Sequence, residues 1–292
     1  YIYIYMYIYV RARVKRGGKR DRESMTMVPA LQSFVHQQPP SRLNIAMSVI
    51  TLLSLAYLGF SETIGKHLKY SKFWNVNSQK SSVKQIKLSS RTGMLILYTP
   101  AFLAGVASFG IYPDGGIRFL LVKSALTIHF FKRDFEVLFV HKYSGGAVLD
   151  SVILISLFYF IAAAAMIYFQ HLTQGFPEPL IDLKYLGLLL FLVGICGNFY
   201  HHYLLSKLRE KNEKGYKIPK GGLFNQVLCP HYLFEILVFL GISFISQTMF
   251  SYSCAIGSAL YLIGRSYVTR KWYLSKFENF PKEVKALIPY VF

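Results

Sequence analysis

Residues 149–169 read LDSVILISLFYFIAAAAMIYF, and this stretch decides the fold class. Its one charged residue is Asp150, close to the start of the run. An apolar helix of this length can cross a hydrocarbon core that is about 30 Å thick. The stretch therefore predicts a transmembrane helix.

Similar apolar runs lie on both sides of this stretch. The third run contains Arg118 and Lys123, and the sixth is short and includes Glu235, which is typical of a half-span or a tilted helix. Together they predict an all-α, polytopic membrane protein of about seven transmembrane helices. The expected spans are 44–60, 93–112, 116–131, 149–169, 183–205, 231–246 and 248–264.

The overall composition agrees with a membrane protein and disagrees with a soluble one. The chain has 292 residues, of which 53% are hydrophobic and 16% charged, and its mean hydropathy is +0.34. Soluble domains carry about 25% charged residues. A soluble enzyme, a disordered chain and a fibrous protein are therefore excluded, although the net charge of +19 still needs an explanation.

The basic residues are concentrated in alternate loops. Stretches 61–92, 206–230 and 265–292 contain seven, six and six Lys or Arg residues, whereas 170–182 contains none. The positive-inside rule then predicts a cytoplasmic C-terminus for an odd number of spans. The charge is explained by topology and by attraction to anionic lipids. Without stacking platforms or a recognisable binding fold around these loops, we expect no nucleic-acid partner.

The first 26 residues have a different character. They begin with the alternating YIYIYMYIYV and continue with RARVKRGGKRDRES, so the basic part follows the apolar part, opposite to an export signal. We expect 1–26 to be a non-native or disordered basic leader, with the native start at Met25 or Met27. Its removal takes away seven Lys or Arg residues and two acids, which lowers the net charge from +19 to +14.

Several ionisable residues lie inside or at the ends of spans, where they are costly and often mark function. Lys132 and Glu136 are four residues apart and would share a helix face, either as part of a site or as an anchoring salt bridge. Asn198 and His202 have the same spacing. His201 and His202 are adjacent and point about 100° apart on a helix, and no nearby carboxylate completes a ligand set, so we predict no metal.

Two C-terminal segments resemble a known family. They are YKIPKGGLFNQVLCPHYLFEI at 216–236 and WYLSKFENFPKEVKALIPYVF at 272–292, and both are similar to the C-terminal domain of the steroid 5α-reductase family. The resemblance is strongest over 198–292 and extends more weakly, through HFFKRDFE, to about residue 90. It implies that 27–130 forms N-terminal transmembrane helices and that 131–292 forms the NADPH-binding membrane domain.

The resemblance also implies an activity. Members are endoplasmic reticulum membrane enzymes that use NADPH to reduce a carbon–carbon double bond conjugated to a carbonyl. The hydride goes to the β carbon and a proton to the α carbon, while the protein supplies orientation and electrostatics. Their substrates are 3-oxo-Δ4 steroids, trans-2-enoyl-CoA thioesters or polyprenals. The implied partners are this lipid substrate, membrane lipids and, for an enoyl-reducing member, other enzymes of lipid elongation.

The family's functional residues can be carried over to this chain. Steroid-reducing members have a Glu and a Tyr at the positions of Tyr98 and Phe130, which places the steroid site in doubt. The pattern Lys132-Arg133-x-x-Glu136 is similar to the enoyl-CoA reductase branch, where the tyrosine matching Tyr232 is the natural proton donor. The implied catalytic residues are Tyr232 first, then Tyr98, Lys132 and Glu136. The implied NADPH-binding residues are Arg133, Asn198, His202, Arg209, Tyr216, His231, Glu235, Arg265 and Tyr273.

Two other functions compete with the reductase. Isoprenylcysteine methyltransferases are membrane enzymes with a distantly similar C-terminal architecture, although the complete IPKGGLF and ALIPYVF patterns argue against them. A transporter or scaffold would place polar residues near the bilayer middle and show an internal repeat. Here the polar clusters gather at the cytoplasmic ends of the spans, where a soluble cofactor has access.

Overall fold

The structure is a computed structural model that describes residues 32–37, 41–67, 86–143, 145–208 and 216–292. The predicted leader 1–26 and the predicted cofactor residue Arg209 lie outside the described residues. All three cysteines are described, and all three are free.

Seven long helices make up the described part of the chain. A short antiparallel pair of strands, β1 (Lys87–Ser89) and β2 (Gly146–Val148), joins the start of the second helix to the start of the fourth. Each predicted span coincides with one helix, and none extends more than one residue beyond it. The helices are α1 (Arg42–Thr63), α2 (Ser90–Ile111), α3 (Ile117–Phe135), α4 (Leu149–His171), α5 (Lys184–Lys207), α6 (Pro230–Ser246) and α7 (Met249–Lys276).

Within the described residues, four helices are long and apolar enough to cross a membrane, namely α1, α2, α4 and α5. Helix α6 is apolar but only 17 residues long, as its sequence indicated. Helices α3 and α7 continue beyond the predicted spans, to Phe135 and Lys276. The chain is thus a helical membrane protein, while the count of seven spans and the cytoplasmic C-terminus remain predictions.

Local signals explain where several helices begin. The Ser41 side chain accepts a hydrogen bond from the Asn44 backbone N–H at the start of α1. Thr248 and Ser251 form a reciprocal capping box at the start of α7. Pro230 occupies the first turn of α6, where a backbone N–H would have no partner within the helix, so proline costs no hydrogen bond there.

Glycines allow two helix pairs to approach closely, as is common between membrane helices. A Cβ added at Gly194 of α5 would lie 2.7 Å from the Val238 backbone nitrogen of α6. A Cβ at Gly264 of α7 would lie 2.3 Å from the Gly59 carbonyl oxygen of α1. These contacts fix α5 against α6 and α1 against α7, and therefore fix the polar residues that these helices carry.

A second, smaller core forms around the C-terminal tail. The tail runs beside the segment before α6, with Leu228 N–H donating to the Lys285 carbonyl at 2.8 Å and Cys229 N–H donating to the Ala286 carbonyl at 3.0 Å. Leu287 is buried in this core. The tail thereby holds the start of α6, including the Cys229-Pro230-His231-Tyr232 motif, in a fixed position.

Candidate active site

A buried carboxylate lies at the end of α3 and organises a cluster of polar side chains. Glu136 is fully buried, and its Oε1 lies 2.9 Å from the Lys132 Nζ while its Oε2 lies 3.0 Å from an Arg133 guanidinium nitrogen. The i to i+4 pair that the sequence predicted is therefore present. We name the set Lys132, Arg133, Glu136, Asn198 and His202 the Glu136 cluster.

Helix α5 contributes the other side of this cluster. The His202 Nδ1 lies 3.0 Å from the Glu136 Oε1, and Lys132 donates to the Asn198 amide oxygen. The Asn198 amide nitrogen then donates to the His231 carbonyl at 2.7 Å, at the start of α6. The four-residue spacing of Asn198 and His202 does turn both side chains to one face, and three helices meet at this point.

Tyr98 of α2 joins the cluster through Arg133. An Arg133 nitrogen donates to the Tyr98 phenol oxygen at 2.6 Å, and the guanidinium carbon lies 4.7 Å from the centre of the Tyr98 ring. Because the phenol oxygen accepts from a cation, the phenol hydrogen is kept for donation. Phe130, the residue at the family's tyrosine position, is buried 5.8 Å from the Tyr159 ring and has no group to donate.

A single turn of π-helix, Glu136–Val140, follows α3 and brings one more residue to the cluster. The His141 N–H donates to the Glu136 carbonyl at 2.7 Å, and the His141 Nε2 lies 3.8 Å from the Glu136 Oε2. Burial, together with the charge of Arg133, lowers the pKa of His141 to about 4, so the ring is neutral near pH 7. Sequence reasoning missed His141, because residues five apart do not share a face of an α-helix.

Glu136 supplies a carboxylate that the sequence did not place beside His202, and the expectation of no metal at this site stays a prediction. The sequence suggested that no carboxylate accompanies His202, yet the fold brings Glu136, His141 and His202 together, with their ligand atoms within 4.8 Å of one another. Lys132 and Arg133 already bind the same carboxylate. The Lys132 ammonium and the Arg133 guanidinium would repel a metal cation at this distance, and their ion pairs already satisfy the buried carboxylate.

A water-accessible cleft borders the cluster on the side of the basic loops. Its volume is about 260 Å³. Tyr216 and Tyr273, two predicted cofactor residues, both line it, and the Tyr273 hydroxyl donates to the Lys217 carbonyl at 3.3 Å. Two lysines give the cleft a positive charge. The lining residues are His141, Lys142, Leu205, Ser206, Leu208, Tyr216, Lys217 and Tyr273.

A small apolar cavity of about 20 Å³ lies within the helix bundle. Phe130, Tyr159 and Phe239 are among its lining residues, and the Tyr159 ring lies 5.7 Å from the Tyr98 ring. Tyr98 therefore packs against a residue of the apolar cavity, while His141, beside Glu136, lines the polar cleft.

The remaining predicted site residues lie near the cluster or in other contacts. Glu235 is 3.6 Å from the buried His129, one turn beyond His231 on α6. Arg265 donates to the buried Glu62 of α1 at 2.9 Å, some distance along α7 from the tail. Tyr232 packs against the C-terminal core, with its ring 4.3 Å from that of His231.

A family model with the description 3-oxo-5-alpha-steroid 4-dehydrogenase matches residues 149–292. This segment contains α5, α6 and the tail, and therefore contains Asn198, His202 and the Cys229-Pro230-His231-Tyr232 motif. The matched segment, just under half of the chain, assigns a similarity to the steroid 5α-reductase class, and the fold is that of a helical membrane protein.

Curated relatives support this assignment over different lengths. The very-long-chain enoyl-CoA reductase of Dictyostelium discoideum is 32% identical over 169 residues, which are 56% of this chain and 55% of that protein. The 3-oxo-5-alpha-steroid 4-dehydrogenase 1 of Macaca fascicularis is 35% identical over 126 residues, 43% of this chain and 48% of its own length. These matches span about half of each relative.

A longer and weaker match reaches into the N-terminal helices. The 3-oxo-5-alpha-steroid 4-dehydrogenase 2 of Sus scrofa is 26% identical over 251 residues, which cover 84% of this chain and 94% of that protein. Residues 149–292 are thus similar to the steroid 5α-reductase family, and the relatives include steroid-reducing and enoyl-CoA-reducing enzymes.

Proposed function

We propose that this chain is an NADPH-dependent reductase of the endoplasmic reticulum membrane that saturates a carbon–carbon double bond conjugated to the carbonyl of a lipid. One observation carries the proposal: the ion cluster around Glu136 contacts Tyr98 through Arg133 and reaches a basic cleft through His141. A soluble anionic cofactor suits the cleft. The apolar cavity beside Tyr159 has a volume of only about 20 Å³, so a lipid substrate would have to widen it. The reacting ends of both would then meet at one buried acid.

The residues of the cleft fit a dinucleotide with phosphates. Lys142 and Lys217 supply positive charge, and the Tyr216 and Tyr273 rings offer flat surfaces for stacking. Both lysines belong to loops for which the sequence predicts a cytoplasmic location, where NADPH is dissolved. Asn198, His202, His231 and Glu235 would hold the nicotinamide end, while Arg133 and Arg265 add positive charge deeper in the protein.

When bound, NADPH supplies the hydride that is added to the β carbon. The π electrons of the double bond then move toward the carbonyl, and the Tyr98 O–H gives its proton to the α carbon. Arg133 already donates to the Tyr98 oxygen at 2.6 Å, so it stabilises the phenolate that remains. Glu136 holds Arg133 in this orientation, and a proton from solvent later restores the phenol.

Lys132 and Asn198 act by orientation. Lys132 binds the Glu136 carboxylate and donates to Asn198, which in turn binds the start of α6. Helices α3, α5 and α6 are therefore held in one geometry around the site. Tyr232 is the second candidate for the proton donor, and its ring lies 4.3 Å from that of His231.

An enoyl thioester is the substrate we test first. The Lys132-Arg133-x-x-Glu136 pattern of that branch forms a complete ion cluster here. By contrast, Phe130 offers a steroid 3-keto group no hydrogen bond. A polyprenal is the third candidate, because it too is a long apolar chain ending in a conjugated carbonyl.

The test is a substrate panel on membranes that contain the full chain. NADPH consumption is measured with a long trans-2-enoyl-CoA, a 3-oxo-Δ4 steroid and a polyprenal, and S-adenosylmethionine with a prenylcysteine serves as the methyltransferase control. We expect NADPH oxidation with at least one conjugated carbonyl, and the enoyl-CoA to be fastest. No oxidation with any of the three, or methyl transfer instead, would refute the proposal.

A further inference from the structure

The proposed reaction consumes one proton per turnover at a phenol that lies deep in the protein. Tyr98 is 8% exposed and packs among apolar side chains. Bulk water has no direct access to such a group, so the reaction needs a route by which a proton returns to the phenol after each turnover.

His141 lies where such a route would begin. It lines the open cleft, and its side chain remains 20% exposed. On its inner side the Nε2 lies 3.8 Å from the Glu136 Oε2, and its ring lies 4.8 Å from that of His202. One residue therefore contacts both the water-accessible surface and the fully buried carboxylate.

The second half of the route runs along Arg133. One of its terminal nitrogens lies 3.0 Å from the Glu136 Oε2, and the other lies 2.6 Å from the Tyr98 oxygen. Arginine stays protonated in proteins, so it does not carry the proton itself. Its two terminal nitrogens hold the carboxylate and the phenol next to each other, at the two corners of one planar group.

We infer that His141 is a relay residue that takes a proton from the cleft and passes it through Glu136 to the phenol, which restores the acid for the next turnover. The inference rests on the proposed function. A neutral imidazole suits this role because it accepts a proton on one nitrogen while it releases one from the other. At each transfer one O–H or N–H bond breaks as the next one forms. His141 and Glu136 end in their starting protonation states, and the net change moves one proton from water to the phenolate.

The fold positions His141 for this purpose by an unusual local structure. In a continuous α-helix, residue 141 would point about 140° away from residue 136. The π turn inserts one residue into the last turn, so that the His141 N–H bonds to the Glu136 carbonyl. The result is a histidine beside the carboxylate that Lys132 and Arg133 already hold.

The test separates the first turnover from later ones in the full-length protein. The variants are His141→Gln and His141→Ala, with His171→Gln at the far end of α4 as the matched control. Because Tyr98 starts out protonated, we expect the first turnover of the His141 variants to match wild type, and later turnovers to slow by at least about tenfold. Added imidazole should restore the rate of later turnovers in His141→Ala, and His171→Gln should behave as wild type in both phases.

A binding measurement distinguishes the relay from a cofactor contact or a folding defect. NADP⁺ affinity is followed by quenching of tryptophan fluorescence, since Trp272 packs 4.9 Å from the cleft residue Tyr216. We expect the affinity to stay within about twofold of wild type for every variant that folds. Each of three results would overturn the relay. They are equal slowing of the first and later turnovers, no rescue of His141→Ala by imidazole, and a loss of NADP⁺ affinity while the turnover rate is unchanged. A wild-type protein with no NADPH oxidation would instead refute the reductase itself.

Discussion

The two ends of α3 both bury a strong cation, and they bury it in different ways. Near the start of the helix, Arg118 is 3% exposed and donates to the Glu178 and Asp182 carboxylates. It also donates to the Ile245 carbonyl at 2.6 Å and to the Gln247 amide oxygen at 3.0 Å. Two carboxylates, one backbone carbonyl and one side-chain amide oxygen therefore bind the Arg118 guanidinium.

Near the other end, Arg133 faces groups that can change their protonation. Its guanidinium contacts one carboxylate, one phenol and, at 3.3 Å, the His202 ring. His141, which lies 3.8 Å from Glu136, lines the polar cleft. The contacts of Arg118 tie loops together, whereas the Glu136 cluster lies one residue away from a water-accessible cleft. Burial of a charge is therefore no sign of function by itself, but the partners distinguish the two roles.

The largest effect is expected from Glu136→Gln. This change removes the only carboxylate that contacts both Lys132 and Arg133 among the described residues, and it leaves two buried cations without compensation. We expect a loss of about 3–5 kcal/mol in stability and a fall in kcat/KM of at least about 100-fold. Thermal unfolding measures the stability, and NADPH oxidation measures kcat/KM. A folded variant with normal activity would separate Glu136 from the site.

Arg118→Met at the other end should cost stability without affecting chemistry. The Ile245 carbonyl loses the Arg118 donor, and the buried Gln247 amide oxygen keeps only the Leu183 N–H, whereas Glu178 is 54% exposed and is readily hydrated. We expect a loss of about 3 kcal/mol in unfolding free energy. The turnover per folded molecule should stay within twofold of wild type. A large fall in that turnover would contradict the structural role.

Tyr98→Phe tests the proton donor, with Tyr232→Phe as its matched partner. Removal of the Tyr98 hydroxyl should lower kcat by about 100-fold, the usual scale for a general acid, and leave NADP⁺ binding intact. From the geometry we expect a smaller effect for Tyr232→Phe, because Tyr232 packs in the C-terminal core. The reverse order of effects would identify Tyr232 as the donor.

The smallest effect is a pH dependence of stability at the Arg118 end. Burial first, and then the charge of Arg118, lower the pKa of His36, although Glu178 and Asp182 oppose the shift. The unfolded chain therefore binds a proton near pH 6.5 that the folded chain does not. The contribution of neutral His36 to the free energy of unfolding is complete above about pH 6.5. It is lost as the pH falls from 6.5 toward the pKa of His36 in the folded protein. Unfolding between pH 7 and 5 should show this loss in wild type and not in His36→Gln.

The sequence predicted local features well and long-range pairs poorly. Apolar runs located every long helix, and the four-residue spacing of Lys132 with Glu136 and of Asn198 with His202 predicted side chains that do share a face. These features depend on helix geometry, which is the same everywhere. The resemblance to a family added Tyr98 and Arg133 as site residues.

The pairs that depend on packing were not predicted. Nothing local links Arg118 to Gln247, which lie 129 residues apart, or Arg265 to Glu62, which lie 203 residues apart. Such contacts depend on crossing angles that the glycines of α5, α6 and α7 determine by close approach. The π turn was missed because it departs from the α-helical period on which the pattern analysis rests.

That turn also determines where the chain tolerates a change of length. Loss of one residue inside an α-helix normally rotates everything beyond it by about 100°. Within Glu136–Val140 the helix already carries one residue more than an α-helical turn, so deletion of a single residue there would restore a regular helix. Natural variants of this protein that lack one residue of 137–140 should therefore insert and fold, and their histidine would follow Glu136 by four residues on the same helix face. The loss of one codon at this turn should therefore be tolerated by folding and should keep the histidine beside the carboxylate.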